Sequence, residues 1–348
     1  MSETEDYIRQ HFRRQGDACE RLGSPFNAML CRILADNLDE TTKVGHKILT
    51  WPGTAGDDAL ALRLCGGLHV LVLSDADPKL AALYPPHLSD WERLRLILPE
   101  ILTRNEEALL QALQSAPQTN EIARSGMLLP GFLAIARETG LPLSLHEIGS
   151  SAGLNLLFDL FHYSMGNAAW GDANSPVQLS PEVRGQVPPL DGELQILSRY
   201  GSDISPIEVE NDKDRLRLRS YVWPDQALRL ERLDAALGLG LKTLFSVVKS
   251  DAEAFVHNML SDRKPNVATV LFHSIMWQYM PENTRAAIVS AMEAAGAEAT
   301  EKAPLAWLRM EPLVISDPHA TLSLTLWPNG ETRHLAKCDY HGRWIEWF

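Results

Sequence analysis

Residues 142–161 constrain the fold more than any other stretch of this 348-residue chain. An apolar run, Leu143-Ser-Leu-His-Glu-Ile148, leads into Gly149-Ser-Ser-Ala-Gly153, and Leu154, Leu157, Phe158 and Phe161 then fall on one helical face. A short apolar run, a glycine turn and a 3.6-residue period predict strand, tight turn and helix in succession. A strand followed directly by a helix takes its next sheet neighbour in parallel, because a crossover is what links parallel strands. The expected class is therefore α/β, with a mostly parallel sheet.

Downstream residues repeat the alternation. Strands are expected at 194–200, 244–248, 267–272 and 305–310, with helices at 225–239, 252–260 and 282–295. Gly240 and Gly296 stop the first and last of these helices. Residues 322–327 alternate apolar and polar, Asn329-Gly330 turns the chain and 332–338 returns, which adds an antiparallel hairpin. A last edge strand is expected at 344–348. Gly, Pro, Asn and Asp crowd residues 164–192, which read as a long loop or inserted lid.

The N-terminal third has a different pattern. Residues 8–22 form a charged amphipathic stretch stopped by Gly23, and Ser24-Pro25 opens a second helix with Met29, Leu30, Ile33 and Leu34 on one side. Residues 60–73 read as buried, and 91–113 as one or two further helices. The expected organisation is an all-helical N-terminal lobe over 1–118 and an α/β domain over 119–348, with a small-molecule site between them.

Composition narrows the partners. The net charge is −13, and no run of Lys or Arg supplies the clustered cations that nucleic acid or an anionic membrane requires. Residues 1–12 are polar and mixed in charge, unlike a secretory signal. The longest apolar stretch, 60–73, carries Arg63 and His69 and is too short to cross a bilayer. Cys19, Cys31, Cys65 and Cys338 are scattered without a C-x-x-C pair, as in a reduced cytoplasmic protein, and His319, His334 and His341 lack metal-ligand spacing. No metal is expected.

The turn itself carries the chemistry. Gly149 and Gly153 let backbone approach a ligand closely, and Glu147 stands just before them. A carboxylate there would repel a phosphate but suits a cationic sulfonium with an amino-acid tail. The same residues, Gly149-Ser-Ser151-Ala-Gly153, match the G-x-S-x-G elbow of hydrolases, with Ser151 as nucleophile and Asp317 and His341 following in order. The helical N-terminal third offers no strands and no H-G-G-G oxyanion loop ahead of such an elbow. A cofactor-binding protein without catalysis is a third possibility.

Order along the chain favours methyl transfer. Tyr200-Gly-Ser-Asp203-Ile-Ser-Pro206 resembles the segment ending the second strand of class I S-adenosylmethionine-dependent methyltransferases, and Lys249-Ser250-Asp251-Ala252 resembles their adenine-contacting turn. The resemblance implies a Rossmann-like methyltransferase fold with S-adenosylmethionine as cofactor, held by Glu147, Gly149, Ser151, Gly153, Asn155, Asp203, Ser250, Asp251 and Ala252. Asp203 comes about 54 residues after Gly149, where about 20 is usual, so the insertion at 164–192 must leave the sheet and return. His273, at the end of a strand, is the candidate catalytic proton acceptor. Trp223, Asp225, Gln226 and Trp277 are candidate substrate-lining residues, with Asp225 also suited to cap the helix that follows it. Taken with Ser175-Pro-Val177, Trp223-Pro-Asp-Gln226 and Phe272-His-Ser274, the glycine block also resembles a family of uncharacterised bacterial proteins, a domain of unknown function that assigns no reaction.

Overall fold

A computed structural model of the protein describes residues 3–348. The chain divides into two compact units, one made of the residues up to Thr119 with Asn211–Glu231, the other of Asn120–Glu210 and Arg232–Phe348.

The first unit is helical. It contains α1 (Glu3–Arg21), α2 (Pro25–Asn37), α3 (Lys43–Leu49), α4 (Leu60–Leu73), α5 (Pro78–Ala81), α6 (Trp91–Arg104) and α7 (Glu106–Ala112). Phe12, Leu30, Ile33, Leu34, Leu64 and Leu68 are among the fully buried side chains of its core. The Ser24 hydroxyl caps α2 by accepting the Asn27 amide, and Pro25 fills the first turn, where its missing N–H costs nothing. His69, buried on α4, bonds through Nδ1 to the Ser220 carbonyl, and burial lowers its pKa to about 4.

The second unit begins with α8 (Arg124–Thr139), which ends at Gly140 in the left-handed conformation, and continues into β1 (Leu143–Ile148). A 3-10 helix, Leu154–Leu160, follows the glycine turn. Then come β2 (His162–Met165), β3 (Ala168–Trp170), β4 (Gln178–Leu179), β5 (Glu182–Gly185) and β6 (Ile196–Asp203). Helix α9 (Asp212–Ser220) lies within the helical unit, and α10 (Ala227–Gly240), β7 (Ser246–Lys249), α11 (Ala252–Ser261), β8 (Ala268–Ser274), α12 (Glu282–Ala297), β9 (Leu305–Glu311), β10 (Ala320–Trp327), β11 (Glu331–Cys338) and β12 (Trp344–Trp347) complete the chain.

The fold is mixed α/β around a mainly parallel nine-stranded sheet of order β5-β12-β11-β10-β9-β8-β1-β6-β7. Strands β7, β6, β1, β8 and β9 run parallel, and β9 through β12 are antiparallel. From β1 the chain steps to β6 and β7 on one side, then returns to β8 and β9 on the other, so the strand order reverses between β1 and β8. Each face is covered, as a buried parallel sheet requires. Ile148, Leu271, Leu305 and Trp307 pack with α11 and α12 on one face. On the other, Phe132 of α8 stacks on Phe158 at 4.0 Å and meets Phe272 edge-on at 5.1 Å.

Three local expectations change. Residues 164–192 are not one long loop: they carry parts of a three-stranded sheet, β3-β2-β4, and then β5. Strand β5 pairs parallel with β12, so residues 344–347 are not the edge of the large sheet. The helix expected after the glycine turn is the short 3-10 element, whose buried Leu154, Leu156, Leu157 and Phe158 draw it into the core.

Candidate functional site

The carboxyl ends of β1 and β6 meet at the glycine turn. Pairing sets Glu147 opposite Gly201 of β6 and Phe272 of β8. Gly149, Ser151 and Gly153 all have left-handed backbone, with φ of +64°, +55° and +71°. Glycine is required at both ends for packing as well as conformation. A Cβ on Gly149 would lie 2.9 Å from the Met276 side chain, and one on Gly153 would lie 2.6 Å from Val247 Cγ2. Ser151, unfavourable at positive φ, is held by two bonds: its amide donates to Asp203 Oδ2 at 2.9 Å, and its carbonyl accepts the Ile207 amide at 3.1 Å. The Ser150 amide and hydroxyl both donate to the Ser202 carbonyl.

Glu147 is 3% exposed, and its Oε2 has no protein hydrogen-bond partner. Burial pushes its carboxyl well above the ordinary range. The Arg124 guanidinium opposes that shift, the Asp203 charge adds to it, and an Asn155 side-chain hydrogen bond opposes it. Asn155 is itself buried and accepts the Ser125 hydroxyl at 2.8 Å, and Asn120 accepts the Leu154 amide at 3.0 Å. The Ser151 and Ser202 hydroxyl oxygens are likewise buried without partners. Three buried oxygens without a protein partner thus lie at the ends of β1 and β6 and on the turn that follows β1.

Asp203 is half-buried at the last position of β6, and its second oxygen accepts the Ser205 amide at 2.9 Å. Its carbonyl accepts the Ser250 amide at 3.1 Å, joining the turn after β7 to the same edge. Asp251 caps α11 through the Ala254 amide, and Ala252 is the first residue of that helix. The structure therefore brings Glu147, Gly149, Ser151, Gly153, Asn155, Asp203 and Ser250 together, with Asp251 and Ala252 alongside.

His273 is fully buried at the carboxyl end of β8, its Nδ1 2.7 Å from Glu311 Oε1. Trp277 stacks on its ring at 5.0 Å. Among the other expected substrate residues, Asp225 accepts the Ser24 hydroxyl at 2.5 Å and the Phe26 amide at 2.8 Å, so it secures the start of α2 rather than capping α10. The Gln226 side chain donates to the Leu22 carbonyl and accepts from Arg229, and Trp223 lies in the same helical unit. Ser151, Asp317 and His341 form no triad: the Ser151 oxygen has no partner, Asp317 accepts the Val314 amide at 3.0 Å, and His341 Nδ1 lies 3.8 Å from Glu121.

Sequence reasoning missed Arg124 and Glu311. Arg124 donates to the Tyr340 and Ser274 carbonyls, 216 and 150 positions away, and no local pattern announces such a residue. Glu311 had a usable signal, because a carboxylate ending an apolar strand repeats the pattern of Glu147.

Among the described residues no group of three His, Cys, Asp or Glu is arranged to hold a metal, and no helix is long and apolar enough to cross a membrane. No curated protein and no solved structure matches the chain. A family model described as an uncharacterized protein conserved in bacteria (DUF2332) matches residues 9–347, and the chain belongs to that family.

Proposed function

We propose that the protein binds S-adenosylmethionine at the carboxyl ends of β1, β6 and β7 and transfers its methyl group to a small-molecule acceptor, on a Rossmann-like methyltransferase domain. The observation that carries this reading is Glu147, a buried carboxyl with an unpartnered oxygen beside the glycine turn and next to Asp203. Open α/β sheets bind ligands outside the strand carboxyl ends, where strand order reverses, and here it reverses beside β1. The order β7-β6-β1-β8-β9 is the 3-2-1-4-5 order of doubly wound nucleotide-binding sheets.

The residues suit the cofactor. A cationic sulfonium or ammonium favours the ionised form of Glu147, which burial alone disfavours. Asp203 spends one acceptor position of each oxygen on the Ser151 and Ser205 amides and keeps others for ribose hydroxyls. Ser250 and Asp251 stand at the same edge, on the side that the methyltransferase resemblance gives to adenine. The 3-10 helix after the turn is too short to offer a strong helix dipole, so recognition falls to carboxylates rather than to a phosphate-binding helix end. Bound there, the cofactor supplies an electrophilic methyl group whose carbon–sulfur electron pair stays on sulfur.

Calorimetric titration of the full chain with S-adenosylmethionine and with its demethylated product tests this. Both should bind and compete. Saturation at about a hundred times the dissociation constant should add roughly 2.7 kcal/mol of stability. A folded chain that binds neither compound at millimolar concentration would refute the proposal.

A further inference from the structure

We propose that His273 and Glu311 form a proton-accepting dyad, in which Glu311 holds the Nδ1–H tautomer so that Nε2 takes the proton of a hydroxyl or amine acceptor; this deepens, and rests on, the methyl-transfer reading. His273 and Glu311 stand at the carboxyl ends of adjacent parallel strands, β8 and β9. Glu311 Oε1 lies 2.7 Å from His273 Nδ1 and also accepts the Met276 and Trp277 amides, at 3.1 and 3.3 Å. An oxygen already accepting two N–H groups faces Nδ1 as an acceptor, which assigns the ring proton to Nδ1 and leaves the lone pair on Nε2. Nε2 is buried and has no protein partner. Most buried side-chain polar atoms have a hydrogen-bond partner, and Nε2 has none.

The segment that ties the dyad together also touches the cofactor turn. Met276, whose amide Glu311 holds, fills the space where a Gly149 Cβ would stand. Between His273 and Met276, Ile275 has φ of +52°, a costly conformation for a β-branched residue, and such outliers gather at functional loops. Trp277 stacks on the imidazole at 14° and Trp307 flanks it at 6.1 Å. His273 is fully buried beside Trp277, so this proton transfer requires the Trp277 ring to shift and admit the acceptor.

The proton step balances within the dyad. For a hydroxyl acceptor the O–H proton passes to Nε2 as the oxygen attacks the methyl carbon with the freed pair. An amine attacks with its own lone pair, and Nε2 then takes a proton from the methylated ammonium, the methyl–sulfur bonding pair staying on sulfur in both cases. The imidazolium is stabilised through Nδ1–H by Glu311 and returns the proton to solvent after product leaves. An acceptor that is already an anion has no use for such a group, so the dyad selects neutral hydroxyl or amine acceptors.

The test combines nitrogen NMR of histidine-labelled full chain, read without cofactor, with turnover of S-adenosylmethionine using the small-molecule fraction of a bacterial extract as acceptor. The ring proton of His273 should sit on Nδ1. His273→Gln should lower kcat by about 10²–10⁴-fold, and Glu311→Gln by at least about tenfold, each with the cofactor KM unchanged and a native melting profile. A proton on Nε2 in the unaltered chain overturns the dyad without any variant. An unchanged kcat in either variant, a loss confined to KM, or no turnover by an unaltered chain that binds cofactor also overturns it. If calorimetry shows that the unaltered chain binds no cofactor, the dyad falls together with the methyl-transfer reading, and that outcome is distinguished by the binding measurement alone.

Discussion

The Asp203 carboxylate accepts the Ser151 amide at 2.9 Å across 52 positions of chain. This one bond closes the end of β6 onto the glycine turn after β1 and holds Ser151 in a backbone conformation that it would not choose unaided. Asp203 therefore has a structural duty apart from any ligand it meets.

Asp203→Ala should weaken binding of the demethylated product by roughly ten- to a hundredfold, the loss of about 1.5–3 kcal/mol expected of a charge-assisted hydrogen bond. It should also lower folding stability, because the Ser151 and Ser205 amides lose their acceptor. Calorimetry and urea unfolding measure the two effects separately. Full affinity in the variant would remove Asp203 from the cofactor site.

Gly153→Ala should destabilise the protein by roughly 2–4 kcal/mol, combining left-handed strain with overpacking against Val247 and Phe245. A larger residue at this position would disturb the fold before it reported on binding. The midpoint of urea unfolding should fall with an unchanged slope. An unshifted midpoint would mean that the turn has room the packing denies.

Glu147 makes stability depend on pH in a definite direction. Its folded pKa is raised above the ordinary 4.5, so the folded state binds the proton more tightly than the unfolded one. Its contribution is complete below about 4.5 and is lost as pH rises through the raised folded value. Glu147→Gln, which mimics the protonated carboxyl, should become progressively more stable than the parent as pH rises above 4.5. A pH-independent difference between the two would exclude a buried, proton-holding Glu147.

Asp225→Ala should cost about 1.5–3 kcal/mol through the lost bonds to Ser24 and Phe26, and should leave cofactor affinity unchanged. Weakened affinity with native stability would restore Asp225 to the binding site.

Ser151 should not label with a fluorophosphonate probe, because no base is hydrogen-bonded to its hydroxyl. Stoichiometric labelling at Ser151 would support the hydrolase reading instead.

Local patterns sufficed wherever a residue's partners lie within a few positions. Ser24-Pro25 starts α2, and the apolar run before Gly149 is β1 in the structure. These depend on backbone propensity, capping and hydrophobic period, which act over one or two helical turns, and the alternation after residue 119 was enough to imply a mainly parallel sheet. Long-range pairing was beyond such signals. Nothing around Asp225 says that its carboxylate will cap α2 about two hundred positions away, and nothing in 182–185 says that these residues will pair with β12. The closure of Asp203 on Ser151, the three nitrogens gathered around Glu311 and the short 3-10 element after the turn were decided by tertiary packing, because burial and side-chain hydrogen bonds exist only once distant segments have been brought together.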